Sequence, residues 1–201
     1  MQFYPPDAIV PATLRTQDLY LTMLAPEHVE RDYDAFMSSI PRLQRWSGGS
    51  WPTPEFTLAE NMDDMIMHSN EHVDREAFTF TVLSPDESRC EGCIYINGWD
   101  KIARRLRLSE PPPEARDYDA VTTFWVRESA LERDLDRQLV AGLLSWFDEE
   151  WSFERTLLMV NSDQQRDIDV LRELGLLPLL TLDTPHEPGL YYFYGRPEAS
   201  S

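Results

Sequence analysis

The chain is poor in several things that would assign it to a familiar class. It has 2 Cys among 201 residues, too few for a disulfide framework. Its 18 Lys and Arg are outnumbered by 36 Asp and Glu, giving a net charge of −18. Such a surface repels polyphosphate backbones and excludes nucleic acid as an expected partner. No run of about 18 apolar residues occurs, so no membrane-spanning helix is expected. The opening Met-Gln-Phe-Tyr-Pro-Pro-Asp has no basic region followed by an apolar segment, so no secretory signal is expected either. No internal repeat is visible. The expectation is a soluble cytoplasmic protein that meets neither membrane nor nucleic acid.

The remaining composition favours a real core. Hydrophobic residues make up 42% of the chain, with 6 Trp, 8 Tyr and 9 Phe as large rigid pieces. The length suits one domain. Residues 1–18 hold Pro5, Pro6 and Pro11 without a clear period and read as an arm, either laid over the domain or partly disordered. Leu19–Leu24 alternates as a strand. Pro26 suits a first helical turn. Val29, Tyr33, Phe36, Met37 and Ile40 share one face of the helix it opens, and Pro41 is expected to stop it. A Trp/Gly/Pro-rich loop follows to residue 56. Thr57 and Glu60 form a capping box for a second helix reaching Val73. Ala77–Leu83 and Cys90–Trp99 read as a hairpin around Ser84-Pro85-Asp86. Residues 98–118 read as an inserted basic segment, Lys101, Arg104, Arg105 and Arg107, with a stiff Pro111-Pro112-Pro113 linker.

The most informative stretch is Asp119–Trp151. Ala120–Val126 is β-branched and aromatic, a strand. Leu135, Leu139, Leu143 and Phe147 then recur every fourth residue, with Val140 and Leu144 beside them, as the buried stripe of a helix. Strand, short loop and helix make the usual anion cradle, with backbone N–H groups facing the loop. Ser129 and Glu132 have capping-box spacing there. Arg155–Asn161 is a further strand and Asp163–Leu174 a helix ended by Gly175. Strands at Leu177–Leu182 and Leu190–Gly195 complete the domain, with 196–201 as a tail. The order β-α-α-β-β-β-α-β-α-β-β implies an α/β (α+β) fold. A mixed sheet of about seven strands carries helices on both faces.

That order, over Leu19–Gly195, resembles the GNAT superfamily of acyl-CoA-dependent N-acetyltransferases. Val170-Leu171-Arg172-Glu173-Leu174-Gly175-Leu176 looks like the ending of the family's last helix, nearest the branch that acetylates protein N-terminal and small amines. Gly92 and Phe124-Trp125-Val126 match its hairpin glycine and central strand. The resemblance implies acetyl-CoA as co-substrate. Its arm would be held at Phe124 and Val126, and its pyrophosphate by Arg127, Leu131, Glu132, Arg133, Asp134, Leu135 and Asp136. Asn161 and Gln164 stand near the family's amide position, and Asp167 stands at its serine. It implies direct attack of a neutral amine on the thioester. Asp119 or Glu91 would act as base, and Tyr192, or its neighbours Tyr191 and Tyr194, would protonate the leaving thiolate. The acceptor would be a small amine or a protein N-terminal amine, and a homodimer is the fold-level expectation.

The loop chemistry differs from the family's. Asp134 and Asp136 stand where it has glycines, and Leu131 where it has Gln or Arg. Aspartate satisfies a helix N-terminus itself. Beside a phosphate at ~4 Å its charge costs up to ~4 kcal/mol. Two readings follow: an N-acyltransferase acting on a cationic amine, or a GNAT-fold binding or oligomerisation module that no longer binds acyl-CoA. His68-Ser69-Asn70-Glu71-His72 has the H-x-x-E-H spacing of some zinc hydrolases, but a zinc site needs a third ligand. Cys90-Glu91-Gly92-Cys93 is a lone C-x-x-C whose thiols alternate across a strand. No metal is expected.

Overall fold

A computed structural model describes residues 3–184 and 189–197. Of the last loop, residues 185–188 lie outside the described residues, as do 198–201 of the tail. In chain order the elements are β1 (Thr13–Arg15), β2 (Tyr20–Met23), α1 (Val29–Met37), α2 (Ile40–Ser47), α3 (Leu58–Val73), β3 (Ala77–Leu83) and β4 (Cys90–Asn97). They continue with α4 (Trp99–Arg105), β5 (Ala120–Val126), α5 (Leu135–Glu149), β6 (Thr156–Asn161), α6 (Gln165–Glu173), β7 (Leu177–Asp183) and β8 (Leu190–Gly195). The strands form one 8-stranded sheet in the order β1-β2-β3-β4-β5-β6-β8-β7. The expected mixed sheet is present, one strand larger because β1 forms inside the N-terminal arm. The arm also buries Tyr4 against Phe78, Trp151 and Phe153.

Every neighbouring pair is antiparallel except β5 and β6. That parallel pair is brief, since only Ala120–Thr122 of β5 meets Thr156–Leu158 of β6. Beyond Thr122 the two strands part, and the split opens toward Val126 and Asn161. α5 and α6 cover one face of the sheet, where Leu135, Leu139 and Leu171 pack with Phe124, Val126 and Val160. α1, α2 and α3 cover part of the other face, where Phe36, Leu43 and Met65 pack with Cys93 and Trp125. The 98–118 segment is half built into that second face: Trp99, Ile102, Leu106 and Ala115 bury against Val121, Leu157 and Phe193.

Local chemistry accounts for several elements. Thr57 caps α3 with the full capping box, its hydroxyl accepting from the Glu60 N–H and the Glu60 carboxylate accepting from the Thr57 N–H. Gly175 has φ +81, the left-handed turn that closes α6. Pro41 does not stop a helix. α1 ends at Met37, and Pro41 sits in the first turn of α2, where its missing N–H loses nothing. This matters below, because Arg42 rides on α2. The C-x-x-C thiols also depart from strict alternation. The β3–β4 register slips where Val82 faces Gly92 and Leu83 faces Cys90, leaving Glu91 as the extra residue. Cys90 and Cys93 therefore enter the same apolar cluster, both as free thiols.

Candidate functional site

The split between β5 and β6 is where a fold of this shape binds a ligand, since the carboxyl ends of parted strands leave polar backbone exposed to a crevice. Here the crevice is filled from within. α2 packs on one face and α6 on the other, and Arg42 crosses between them. Its Nε donates to the Val126 carbonyl at 3.0 Å and its Nη2 to Asp167 Oδ1 at 2.6 Å. Both side chains are nearly sealed, with 9% and 3% of their surface exposed. The Gln164 amide donates to the other Asp167 oxygen at 2.8 Å and accepts from the Asn161 N–H at 2.8 Å. Burial raises the Asp167 pKa, and the Arg42 charge only partly opposes it.

The loop after β5 is equally committed. It forms a 3-10 turn over Glu128–Arg133, followed by Asp134 in the left-handed region at φ 53. Arg166 of α6 clamps it, bonding the Leu131 carbonyl at 3.0 Å, Asp134 Oδ1 at 3.0 Å and Asp136 Oδ2 at 2.5 Å. Asp136 is wholly buried. The hydrogen bond to Asp136 raises the Arg166 pKa further still. The Glu128 N–H donates to Ser39 Oγ at 3.0 Å. The Ser129–Glu132 capping box is not formed. Arg127 is the cap residue and no side chain caps the turn; Ser129 Oγ instead accepts from Arg89.

The two arginines expected to meet phosphate face protein groups. Arg127 is buried and bonds Asp34 Oδ2 at 3.0 Å and Ser38 Oγ at 2.9 Å on the α1 side. Arg133 reaches back to Glu91 at 2.8 Å. Glu132 is exposed and lines the depression over the loop with Glu128 and Arg166. Phe124 and Leu135 lie in the core below. The Val126 carbonyl is thus bonded to Arg42, and the Asp134 and Asp136 carboxylates at the start of α5 are bonded to Arg166.

The expected catalytic groups are not brought together. Asp119, exposed at the opposite end of β5 from the split, accepts from the Glu154 and Arg155 N–H groups at 2.6 and 3.0 Å and caps that turn. Glu91 is the buried bulge residue holding Arg133. Tyr192 sits in β8 beside Tyr194, across the sheet on the α6 side. His68 and His72 part company. His68 bonds Glu71 at 2.9 Å, whereas His72 bonds the Thr79 carbonyl and lies against Phe78 and Phe80. Among the described residues no group of three or more His, Cys, Asp or Glu is placed to hold a metal.

What the sequence reading missed is a cavity of about 260 Å³ on the opposite face, between α1, the end of α2 and the loop that follows it, α3, β4, α4 and β5. Trp46, Trp51, Tyr95 and Trp125 line it. The Trp46 ring is tilted against Trp51 and Tyr95, with centroids 6.1 and 5.6 Å away, and the Trp125 indole donates to the Tyr95 hydroxyl at 3.3 Å. Asp32 is buried in its wall, bonded to Asn61 at 3.1 Å, with no cation paired to it among the described residues. Burial carries its pKa from 3.8 up to about 6, against the smaller effects of Asn61, Cys90 and His68. The one available signal was Asp32 itself, an acid on the helical stripe shared by Val29 and Phe36.

Three solved structures place this geometry. RimL, a ribosomal L7/L12 alpha-N-protein acetyltransferase in complex with coenzyme A, superposes with a TM-score of 0.69 at 14% identity, covering 92% of this chain and 97% of that one. A ribosomal-protein-S5-alanine acetyltransferase from Vibrio fischeri gives 0.68 at 13%, covering 92% and 96%. The microcin C7 self-immunity acetyltransferase MccE, with acetyl-CoA and AMP, gives 0.69 at 10%, covering 90% and 93%. No family model and no curated protein matches the sequence. At these identities the likeness shows the fold, and the fold is that of the GNAT acetyltransferases, as the sequence resemblance implied.

Proposed function

We propose that this chain is a GNAT-fold binding protein that does not take acyl-CoA into the split between β5 and β6, and that its ligand site is the aromatic pocket on the opposite face. The observation that carries this reading is the Arg42–Asp167 pair inside the split, bonded to the Val126 carbonyl. A buried pair of this kind resists being opened, because separating the partners leaves an uncompensated charge in a low-dielectric site. The Arg166 clamp on Asp134 and Asp136 supports the same reading at the phosphate end.

Acyl-CoA-dependent acetyl transfer to an amine is the second reading. It is favoured by the coenzyme A and acetyl-CoA bound by the solved neighbours, and as the general chemistry of the fold it needs its own test. That test is thiol release from acetyl-CoA in the presence of small amines and N-terminal peptides. The binding reading expects release at the rate of the protein-free control. Protein-dependent release, abolished by blocking the amine, overturns it.

A further inference from the structure

Two acids and four aromatic rings meet in the wall of the pocket: Asp32, Asp64, Phe36, Trp51, Tyr95 and Trp125. Asp32 stands one turn before Phe36 on α1, so carboxylate and ring share a helix face. Phe36 in turn packs against Trp51, with centroids 5.6 Å apart. Burial of its hydroxyl, and then the charges of Cys93 and Asp32, raise the Tyr95 pKa, which sets that hydroxyl within reach of the Asp32 field. Asp32 is 6% exposed. Its oxygens accept from the Asn61 amide at 3.1 Å and, weakly, from the Cys90 thiol at 3.8 Å. Both donors are neutral. The cationic groups of the pocket are engaged elsewhere. Lys101 and His68 both pair with Glu71. Arg105 lies over the Trp46 ring at 4.9 Å and bonds Thr123 Oγ1 at 3.4 Å.

We infer that this pocket is an aromatic cage for a methylated ammonium, its positive head set against Asp32 and Asp64 among the rings of Phe36, Trp51, Tyr95 and Trp125. A buried carboxylate with no ion-pair partner is stabilised by a cation brought to it. Aromatic rings attract a desolvated cation through their quadrupoles, and quaternary ammonium groups are recognised in this way. The preference for a methylated head follows from the hydrogen bonds. A primary ammonium brings three N–H donors that need acceptors once its water is stripped away. Both Asp32 oxygens already accept, and Leu24, Phe36 and Met65 make the neighbouring wall apolar. A trimethylammonium carries the charge with no donor to satisfy. The cavity lies just below the roughly 300–1,000 Å³ of drug-sized sites, which suits such a head on a short tail. This inference rests on the reading of the pocket as the ligand site.

The test is calorimetric titration of the full chain at about pH 8, where the carboxylates are ionised, run at two temperatures. The probes are choline, its uncharged carbon isostere 3,3-dimethyl-1-butanol, and ethanolamine. Choline is expected to bind about tenfold or more tightly than either. Asp32→Asn should weaken choline about tenfold and leave the alcohol within about twofold. Trp51→Leu keeps apolar bulk but removes the ring, and should also narrow the margin between choline and the alcohol. The alcohol binding as tightly as choline overturns the cage and leaves the pocket an apolar ligand site. Ethanolamine binding as tightly as choline overturns the methylated head. Choline binding unchanged in both variants places it outside the pocket and overturns the inference. So does the absence of heat from all three probes at about 10 mM and both temperatures. Acetyl-CoA turnover bears on the binding-protein reading and not on this preference, so the two fail separately.

Discussion

Arg42 on α2 and Asp167 on α6 lie 125 residues apart in sequence and 2.6 Å apart in space, joined through the gap where β5 and β6 part. The pair stands where the two strands separate, with Arg42 also bonded to the Val126 carbonyl at the end of β5. It also ties the helices on the two faces of the sheet to one another.

This pair should dominate local stability. Arg42→Met leaves the Asp167 carboxylate buried with Gln164 as its side-chain partner, and is expected to cost about 3–5 kcal/mol. The double variant Arg42→Met with Asp167→Leu removes both charges and should recover most of the loss. Urea unfolding of the two variants checks this. Equal losses in both would show that packing, and not the orphaned charge, sets the effect.

Asp32 gives a pH dependence with a definite sign. Folding raises its pKa from 3.8 to about 6, so the folded chain holds more protons between those values and stability falls as pH rises through that window. The penalty is fully present above about pH 7 and is about 3 kcal/mol for a shift of this size. Asn61, Asp64, His68 and Cys90 face the same carboxyl. Asp32→Asn should therefore raise stability near pH 8 by up to about 3 kcal/mol, and the gain should vanish near pH 4. Thermal melts at the two values read it out, and a gain equal at both contradicts the assignment.

Gly92 is fixed by its neighbours. A Cβ there would stand 2.1 Å from the Trp125 carbonyl and 3.1 Å from Val126 Cα, both rigid backbone of β5. Gly92→Ala has to push β4 from β5 beside the bulge at Glu91, with an expected loss of about 3 kcal/mol or more, as for overpacked cores. Chemical denaturation measures it. A change below about 1 kcal/mol would mean the two strands part more easily than their pairing implies.

Much of the fold was legible because it is written in local periodicity. Leu135, Leu139, Leu143 and Phe147 lie at one helical spacing and are buried together, and Thr57 with Glu60 marks a helix start within four residues. The acids at Asp134 and Asp136 announced an unusual loop. What they do there was not legible, because their partner Arg166 comes from another helix. Arg42 was hidden for a related reason. Read as a helix stop, Pro41 put the next residues in a loop, although proline is equally at home in a first helical turn. The Cys90 side chain was placed on the wrong face because a one-residue bulge reverses alternation and leaves no mark in composition. The pocket draws on α1, the end of α2 and the loop after it, α3, β4, α4 and β5, and no sequence window spans them.

Thermal denaturation of the wild-type chain with and without acetyl-CoA reads out whether the split between β5 and β6 takes the cofactor. A ligand present at about 100 times its Kd adds about 2.7 kcal/mol to the folded state, a shift of several degrees. With Arg42 and Asp167 filling the split and Arg166 holding Asp134 and Asp136, no shift is expected at millimolar acetyl-CoA. A saturable rise in Tm with acetyl-CoA, lost on replacing it by acetate, would contradict the account and return the split to its role as a cofactor groove.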